Sequence, residues 1–337
     1  MDLKKLPKID LHCHLDGSVR IETLYELLLE GGKIEEQSLE DFRGLASIEG
    51  ECNSLVEYLA RFAYPGLVMQ SQENLERISY EALEDMSREN VVYAELRFAP
   101  YLHMNEGLSF DQVVESVIRG IKRARSDFNI MANLILIGMR HEEGDNTFSV
   151  VEKGAKYLGH GVVAFDIAGN EADFPPEIHK EAFRLAQEKG YKITIHAGET
   201  GRVENIYRAL ELGADRIGHG IAAIKDEELM EILRERKIAL EMCPISNIQT
   251  KSVDSIGNYP LPEFLKRGLK ATVNTDNRTV SNTSLEREFG FLRDELGVSD
   301  QDIIELTRNS IEAAFVEEDE RRVLRKSLDN FIRDQLG

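Results

Sequence analysis

The sequence predicts a single (β/α)8 barrel, a TIM barrel, with extra helices inserted after strand 1 and at the C-terminus. Three observations predict it: eight short runs of aliphatic or β-branched residues, amphipathic helical stretches between them, and titratable residues at the ends of the first, fifth, sixth and eighth runs. Eight parallel strands can also spread as an open, doubly wound sheet. An open sheet would hold the ends of the first and eighth strands far apart, whereas closure brings them to one mouth.

In chain order the runs are Lys8-Ile9-Asp10-Leu11-His12, Val91 to Leu96, Ile130 to Ile137, Val162 to Asp166, Lys192 to His196, Arg216 to His219, Ile238 to Met242 and Ala271 to Asn274. The stretch 112–125 carries Val113, Val114, Val117, Ile118 and Ile121 at helical spacing, and 177–188 repeats Ile178, Ala182, Phe183, Leu185 and Ala186 between Pro175-Pro176 and Gly190. Asp226 is placed to cap the helix that bears Leu229, Met230, Ile232 and Leu233. Ser299 with Asp302 reads as a capping box that opens another, and the acidic run Glu317 to Glu320 as a helix start with a solvated face. Residues 18–90 read as extra helices which, placed after strand one, lie over the barrel top where active sites sit. No linker, repeat or low-complexity tract interrupts the chain, so residues 1–337 are expected to form one domain.

Composition narrows the function. A net charge of −20 over 337 residues repels phosphate backbones and anionic lipid, so neither nucleic acid nor a membrane is an expected partner. The three cysteines, Cys13, Cys52 and Cys243, form no Cys-x-x-Cys pair and suit a reducing compartment. With no leader-like N-terminus and no long apolar run, the expected location is the cytoplasm. Oligomeric state stays open.

His12-Cys13-His14 places two imidazoles on one face of a strand, because side chains alternate. Taken alone, the pair fits two hydrogen-bonded rim residues as well as it fits two ligands. His196-Ala197-Gly198-Glu199 follows strand five, with a glycine that permits a sharp turn. Gly218-His219-Gly220 ends strand six and Asn274-Thr275-Asp276-Asn277 ends strand eight. Three histidines and an aspartate make a nitrogen- and oxygen-rich set suited to zinc with room for water. A divalent ion lowers the pKa of a bound water from about 15.7 to about 7, and this defines a metal-dependent hydrolase before any substrate is named.

At this point the chain resembles the adenosine deaminase family, almost end to end. The resemblance rests on His12 to Ser18, on Phe165-Asp166-Ile167-Ala168-Gly169-Asn170-Glu171, on His196 to Glu199, on Ile217 to Gly220, on Glu241-Met242-Cys243-Pro244 and on Thr275-Asp276. The segment Ser54 to Phe62 resembles the family's helical gate. The resemblance implies hydrolytic deamination of adenosine and 2′-deoxyadenosine, with one Zn2+ held by His12, His14, His196 and Asp276. It also implies that Glu199 protonates purine N1, that His219 orients the attacking hydroxide, and that Asp276 accepts a hydrogen bond from it. The Gly169 N–H would reach N3, with His14 and Asp16 at the substrate and Asp16 on the ribose 5′-hydroxyl. Relatives acting on free adenine tend to carry Glu where this chain has Asp16, which favours a nucleoside. Many members have a second Asp after the ligand Asp, where this chain has Asn277; a neutral amide can donate to N7 as it stands.

The remaining histidines, His103, His141, His160 and His179, are expected to have no functional role, three of them lying in loop or helix contexts where a solvated or hydrogen-bonded ring is the default. Cys13 and Cys243 read as small core residues. Glu95 and Glu241 fit carboxylates that orient ligand imidazoles as well as they fit structural salt bridges. Two other functions stay in view: deamination of another aminopurine, such as adenine or a modified adenosine, and a catalytically silent nucleoside-binding protein on the same fold. The Pro-Cys-x-x-Cys signature of cytidine-type zinc deaminases is missing from the sequence.

Overall fold

The computed structural model describes residues 1–48, 50, 52, 55–142 and 144–336. Eight strands, β1 (Lys8–His14), β2 (Val91–Phe98), β3 (Met131–Met139), β4 (Val162–Ala168), β5 (Lys192–Ala197), β6 (Arg216–His219), β7 (Ala239–Met242) and β8 (Ala271–Val273), pair in sequence order. Every pairing is parallel. A parallel bridge between Cys13 and Asp276 ties the end of the eighth strand back to the first, through His14 N–H to Asp276 O at 2.7 Å and Asp276 N–H to His12 O at 2.8 Å. The bonds that bring the ends of the barrel together therefore run through three of the four residues expected to hold metal.

Five helices lie between β1 and β2: α1 (Ile21–Glu30), α2 (Leu39–Ala46), α3 (Leu55–Ala60), α4 (Ala63–Val68) and α5 (Gln72–Arg88). The gate-like segment falls on α3, though Ser54 lies outside the described residues. Around the barrel follow α6 (Phe110–Asp127), α7 (Gly144–Gly154), α8 (Lys180–Lys189), α9 (Val203–Glu211), α10 (Glu227–Glu235), α11 (Pro244–Gln249) and α12 (Leu261–Lys266). The chain closes with α13 (Leu285–Leu296), α14 (Asp300–Ala313) and α15 (Glu318–Leu336). Of these, α14 packs on β8 and β1.

The caps read from sequence form as expected. Asp226 accepts from Leu229 N–H, and Ser299 with Asp302 closes a reciprocal capping box. A second box, Ser109 with Gln112, opens α6 two residues before the predicted start. The helix predicted over 177–188 differs at its beginning: Pro176–His179 is a 3-10 turn and the α-helix starts at Lys180, with Gly190 in the left-handed region at its end (φ 87°).

One buried apolar cluster runs from Leu3 to Phe331. The strand interior also carries charge, because Arg97, Asp166, Glu241, Arg216 and Glu95 are all at most 1% exposed. They neutralise one another in a chain: Arg97 to Asp166 at 2.9 Å and to Glu241 at 2.9 Å, Arg216 to Glu241 at 2.6 Å, and Arg216 to Glu95. Buried charges persist only when paired in this way.

Candidate metal centre

His12, His14, His196 and Asp276 converge, each offering one ligand atom and all four atoms lying within 4.8 Å of one another. Both His12 Nε2 and His14 Nε2 stand 3.4 Å from Asp276 Oδ1, and His14 Nε2 is 3.1 Å from His196 Nε2. Two carboxylates fix the tautomers. Glu241 Oε2 lies 2.9 Å from His12 Nδ1, and Asp166 Oδ2 lies 2.9 Å from His196 Nδ1. With each Nδ1–H donating to a carboxylate, the Nε2 lone pairs face inward. His12 Nε2 is buried and has no hydrogen-bond partner. An orphaned acceptor, two ring nitrogens in contact and a facing carboxylate together fit a divalent cation, and the nitrogen and oxygen donor set fits zinc.

Electrostatics agree for two of the three histidines, whereas at His12 burial and Arg97 are outweighed by the hydrogen-bonding carboxylates Asp276 and Glu241, which shift the ring upward. Burial pushes His14 well below the ordinary imidazole range and His196 down to about 4, leaving both neutral as ligands must be. For Asp276 burial acts to raise the pKa, but the neighbouring His12, His14 and His219 outweigh it and hold the group as a carboxylate. Asp166 reaches about 2 because His196 and Arg97 overcome its burial.

Beside this cluster, His219 Nε2 is 3.8 Å from Glu199 Oε2, and its Nδ1 is 3.0 Å from the Asn247 amide nitrogen. Glu199 keeps 14% of its side chain exposed, and burial, reinforced by Asp276 and Glu171, raises its pKa. Gly198 takes φ 77°, and a Cβ there would stand 2.5 Å from Ile206 Cδ1, so the turn into Glu199 is one only glycine makes without strain. His219 (φ 61°) and Asp276 (φ 58°) also occupy the left-handed region, a cost that non-glycine residues bear where their placement is fixed by other contacts.

The remaining predicted residues lie at the same barrel mouth. Asp16 follows β1 in a 3-10 turn, and its buried Oδ1 has no partner. Gly169 follows β4 with φ 111°. Asn277 is turned toward α3: its amide nitrogen donates to Tyr58 OH at 2.9 Å, and its oxygen lies against the Cα of Gly17, where a Cβ would come within 1.9 Å.

Several contributors escaped the sequence reading. Asp166 was visible as a carboxylate ending an aliphatic strand, yet was assigned no role. Ser246, whose hydroxyl donates to Asp276 Oδ2 at 2.6 Å, and Asn247 sit on α11, where nothing in the sequence links them to strands six and eight. Glu241 proves to be both alternatives at once, orienting His12 while bonded to Arg97 and Arg216; Glu95 is structural, bonded to Arg216 and to Phe315 N–H at 2.6 Å. Cys13 is core, its thiol 3.3 Å from Ser18 Oγ. Cys243 is fully buried as expected, but it also lies with His219 and Asp276 in a group whose ligand atoms fall within 4.8 Å. Among the other histidines, His141 and His160 are exposed. His179 Nε2 meets Arg140 O at 3.1 Å, and His103 stacks on Phe98.

The adenosine deaminase family model matches residues 7–331. An adenosine deaminase of Clostridium perfringens (strain SM101 / Type A) is 44% identical over 330 residues, 97% of this chain and 99% of its own length. An adenine deaminase of Arthrobacter aurescens superposes with TM-score 0.91 at 25% identity, over 97% of this chain and 99% of that one. A Burkholderia ambifaria amidohydrolase with bound Zn gives TM-score 0.91 at 27% identity, covering 99% and 93%. An Arabidopsis protein complexed with IMP gives 0.87 at 30%, covering 97% of each. A family match over nearly the whole length, joined to a relative this similar from end to end, establishes that the chain is an enzyme of the adenosine deaminase family.

Proposed function

We propose that the protein hydrolyses the 6-amino group of adenosine and 2′-deoxyadenosine, giving inosine or 2′-deoxyinosine and ammonia. The observation that carries this reading is Glu199 beside the four-ligand cluster, a carboxylic acid with a raised pKa next to a set that fits zinc. His12, His14, His196 and Asp276 would hold the zinc, which would supply an acidified water as the nucleophile.

The protein's own groups do the rest. Glu199 gives its proton to purine N1, which breaks aromaticity and makes C6 electrophilic; positioned proton transfer is typically worth about 10²–10⁴-fold. His219, its Nδ1 accepting from the Asn247 amide, keeps its proton on Nε2 and presents that N–H to orient the water. Asp276 accepts a hydrogen bond from the same water, held by Ser246. The Gly169 N–H donates to N3. Asp16, with one oxygen unsatisfied, accepts from the ribose 5′-hydroxyl, and His14 borders the sugar. Asn277 donates to N7 once its amide turns, Tyr58 O–H then donating to its oxygen. The enzyme takes a free small purine in this reading, and it works in the cytoplasm.

The runner-up is another aminopurine, favoured by the fold shared with an adenine deaminase. A spectrophotometric panel of adenosine, 2′-deoxyadenosine, adenine and N6-methylated nucleosides, run on wild type and Glu199→Gln, decides. Turnover of the nucleosides is expected, with a loss of on the order of 10² or more in the variant at unchanged metal content. Activity confined to adenine would defeat the Asp16 argument, and turnover of none would overturn both readings.

A further inference from the structure

We infer that Glu171 is a positioning residue for Glu199, acting through Thr200; the inference rests on Glu199 being the proton donor proposed above. Glu171 belongs to the loop after β4 and is 2% exposed. Its Oε1 accepts two hydrogen bonds from one residue, Thr200 N–H at 3.1 Å and Thr200 Oγ1–H at 2.9 Å. Thr200 is the immediate neighbour of Glu199. The backbone of Glu171 is held in turn, its carbonyl accepting from the buried Asn205 amide on α9 at 3.2 Å.

The need for such a clamp follows from the local chain. Glu199 and Thr200 lie between Gly198 (φ 77°) and Gly201 (φ 83°), two residues with wide conformational freedom. The Glu199 side chain has little of its own to hold it: Thr250 Oγ1 is 3.5 Å away and His219 Nε2 3.8 Å. Lys225 Nζ donates to Gly201 O at 3.1 Å from an exposed position, so it steadies only the far end of the turn. Before the acid, Ala222 N–H donates to Gly198 O at 3.0 Å; after it, the double acceptor on Glu171 is the buried contact that fixes the turn. A proton donor displaced by about 1 Å can cost on the order of 100-fold in rate. Losing the clamp should therefore lower turnover and leave ground-state binding nearly intact.

The acceptor oxygen is the feature that matters, and Gln retains it while Ala does not. Glu171→Ala, Glu171→Gln and Thr200→Val are assayed on the zinc-loaded enzyme with adenosine, next to wild type and Glu199→Gln, with zinc content and Tm recorded. Glu171→Ala is expected to lose on the order of 100-fold in kcat with KM within about threefold. Glu171→Gln should recover most of that loss, and Thr200→Val should fall between. The inference is overturned if Glu171→Ala keeps kcat within threefold, if Glu171→Gln falls as far as Ala, or if KM rises in step with the loss of kcat. Should Glu171→Ala not fold, the other two variants decide: Thr200→Val must lose kcat at constant KM while Glu171→Gln loses less, and the reverse order overturns the clamp. A wild type inactive on adenosine, or a Glu199→Gln variant as active as wild type, instead sinks the reading beneath it.

Discussion

In the proposed mechanism Glu199 is the residue on which the chemistry turns, and its environment makes a prediction about pH. Desolvation raises its pKa, with Asp276 and Glu171 adding to the effect and His219 opposing it. A raised value keeps the acid form populated further toward neutral pH, and that is the form able to protonate N1. It follows that kcat/KM falls as pH rises through the Glu199 pKa and holds below it until other groups protonate. Residual activity in Glu199→Gln, which cannot titrate, should lack that alkaline fall. A variant profile with the same alkaline limb as wild type would assign the limb to another group. At this scale the sequence was informative wherever a candidate residue lies at or just past the end of a strand, as His12, His14, His196, His219 and Asp276 do. It was silent on Ser246, Asn247 and Thr200, small polar residues of ordinary types whose roles arise only from what folding sets opposite them.

Among the elements, the insertion between β1 and β2 reaches the segment after β8 with the Tyr58 hydroxyl. Tyr58 on α3 is 2% exposed, and its OH lies 2.8 Å from Ser281 Oγ while accepting from the Asn277 amide. Ile48 N–H donates to Val280 O at 2.7 Å a little earlier in the insertion. The insertion is thus fastened to the segment that follows Asp276. Tyr58→Phe removes the fastening and strands a buried amide, a loss of about 1 kcal/mol that corresponds to a several-fold rise in KM for adenosine. Steady-state kinetics should show that rise with kcat changed less; an unaltered KM would mean that α3 is held by packing alone. Elements of this kind were legible in part. The hydrophobic periodicity of α6 and the caps of α10 and α14 declared themselves, because each is local. By contrast, α7 begins and ends in glycine, and α9 starts at Val203 behind Arg202, which makes no side-chain cap; neither offers a sequence signal for where it begins. The run opening with Pro176 kept its helical period but began as a 3-10 turn, a boundary that periodicity does not resolve.

For the whole molecule, the barrel is what turns four scattered motifs into one site. Strand order from β1 to β8 was readable from the alternation of apolar runs and helices, and closure from the need to gather histidines at one mouth. What could not be read was the buried ion chain from Asp166 through Arg97 and Glu241 to Arg216 and Glu95, since nothing in a linear sequence reveals which arginines fold inward. That chain holds the two carboxylates that set the tautomers of His12 and His196, so the interior of the barrel and the metal cluster act as one electrostatic unit. Among the described residues, no helix is long and apolar enough to cross a membrane. The central claim is that His12, His14, His196 and Asp276 hold a single zinc ion that adenosine deamination requires. It is tested most directly by titrating zinc into chelator-stripped protein while following the ultraviolet change of adenosine. The account predicts negligible turnover at the start and a rise that saturates at about one equivalent per chain. Full activity in the stripped protein, or a rise that continues well past one equivalent, would contradict it.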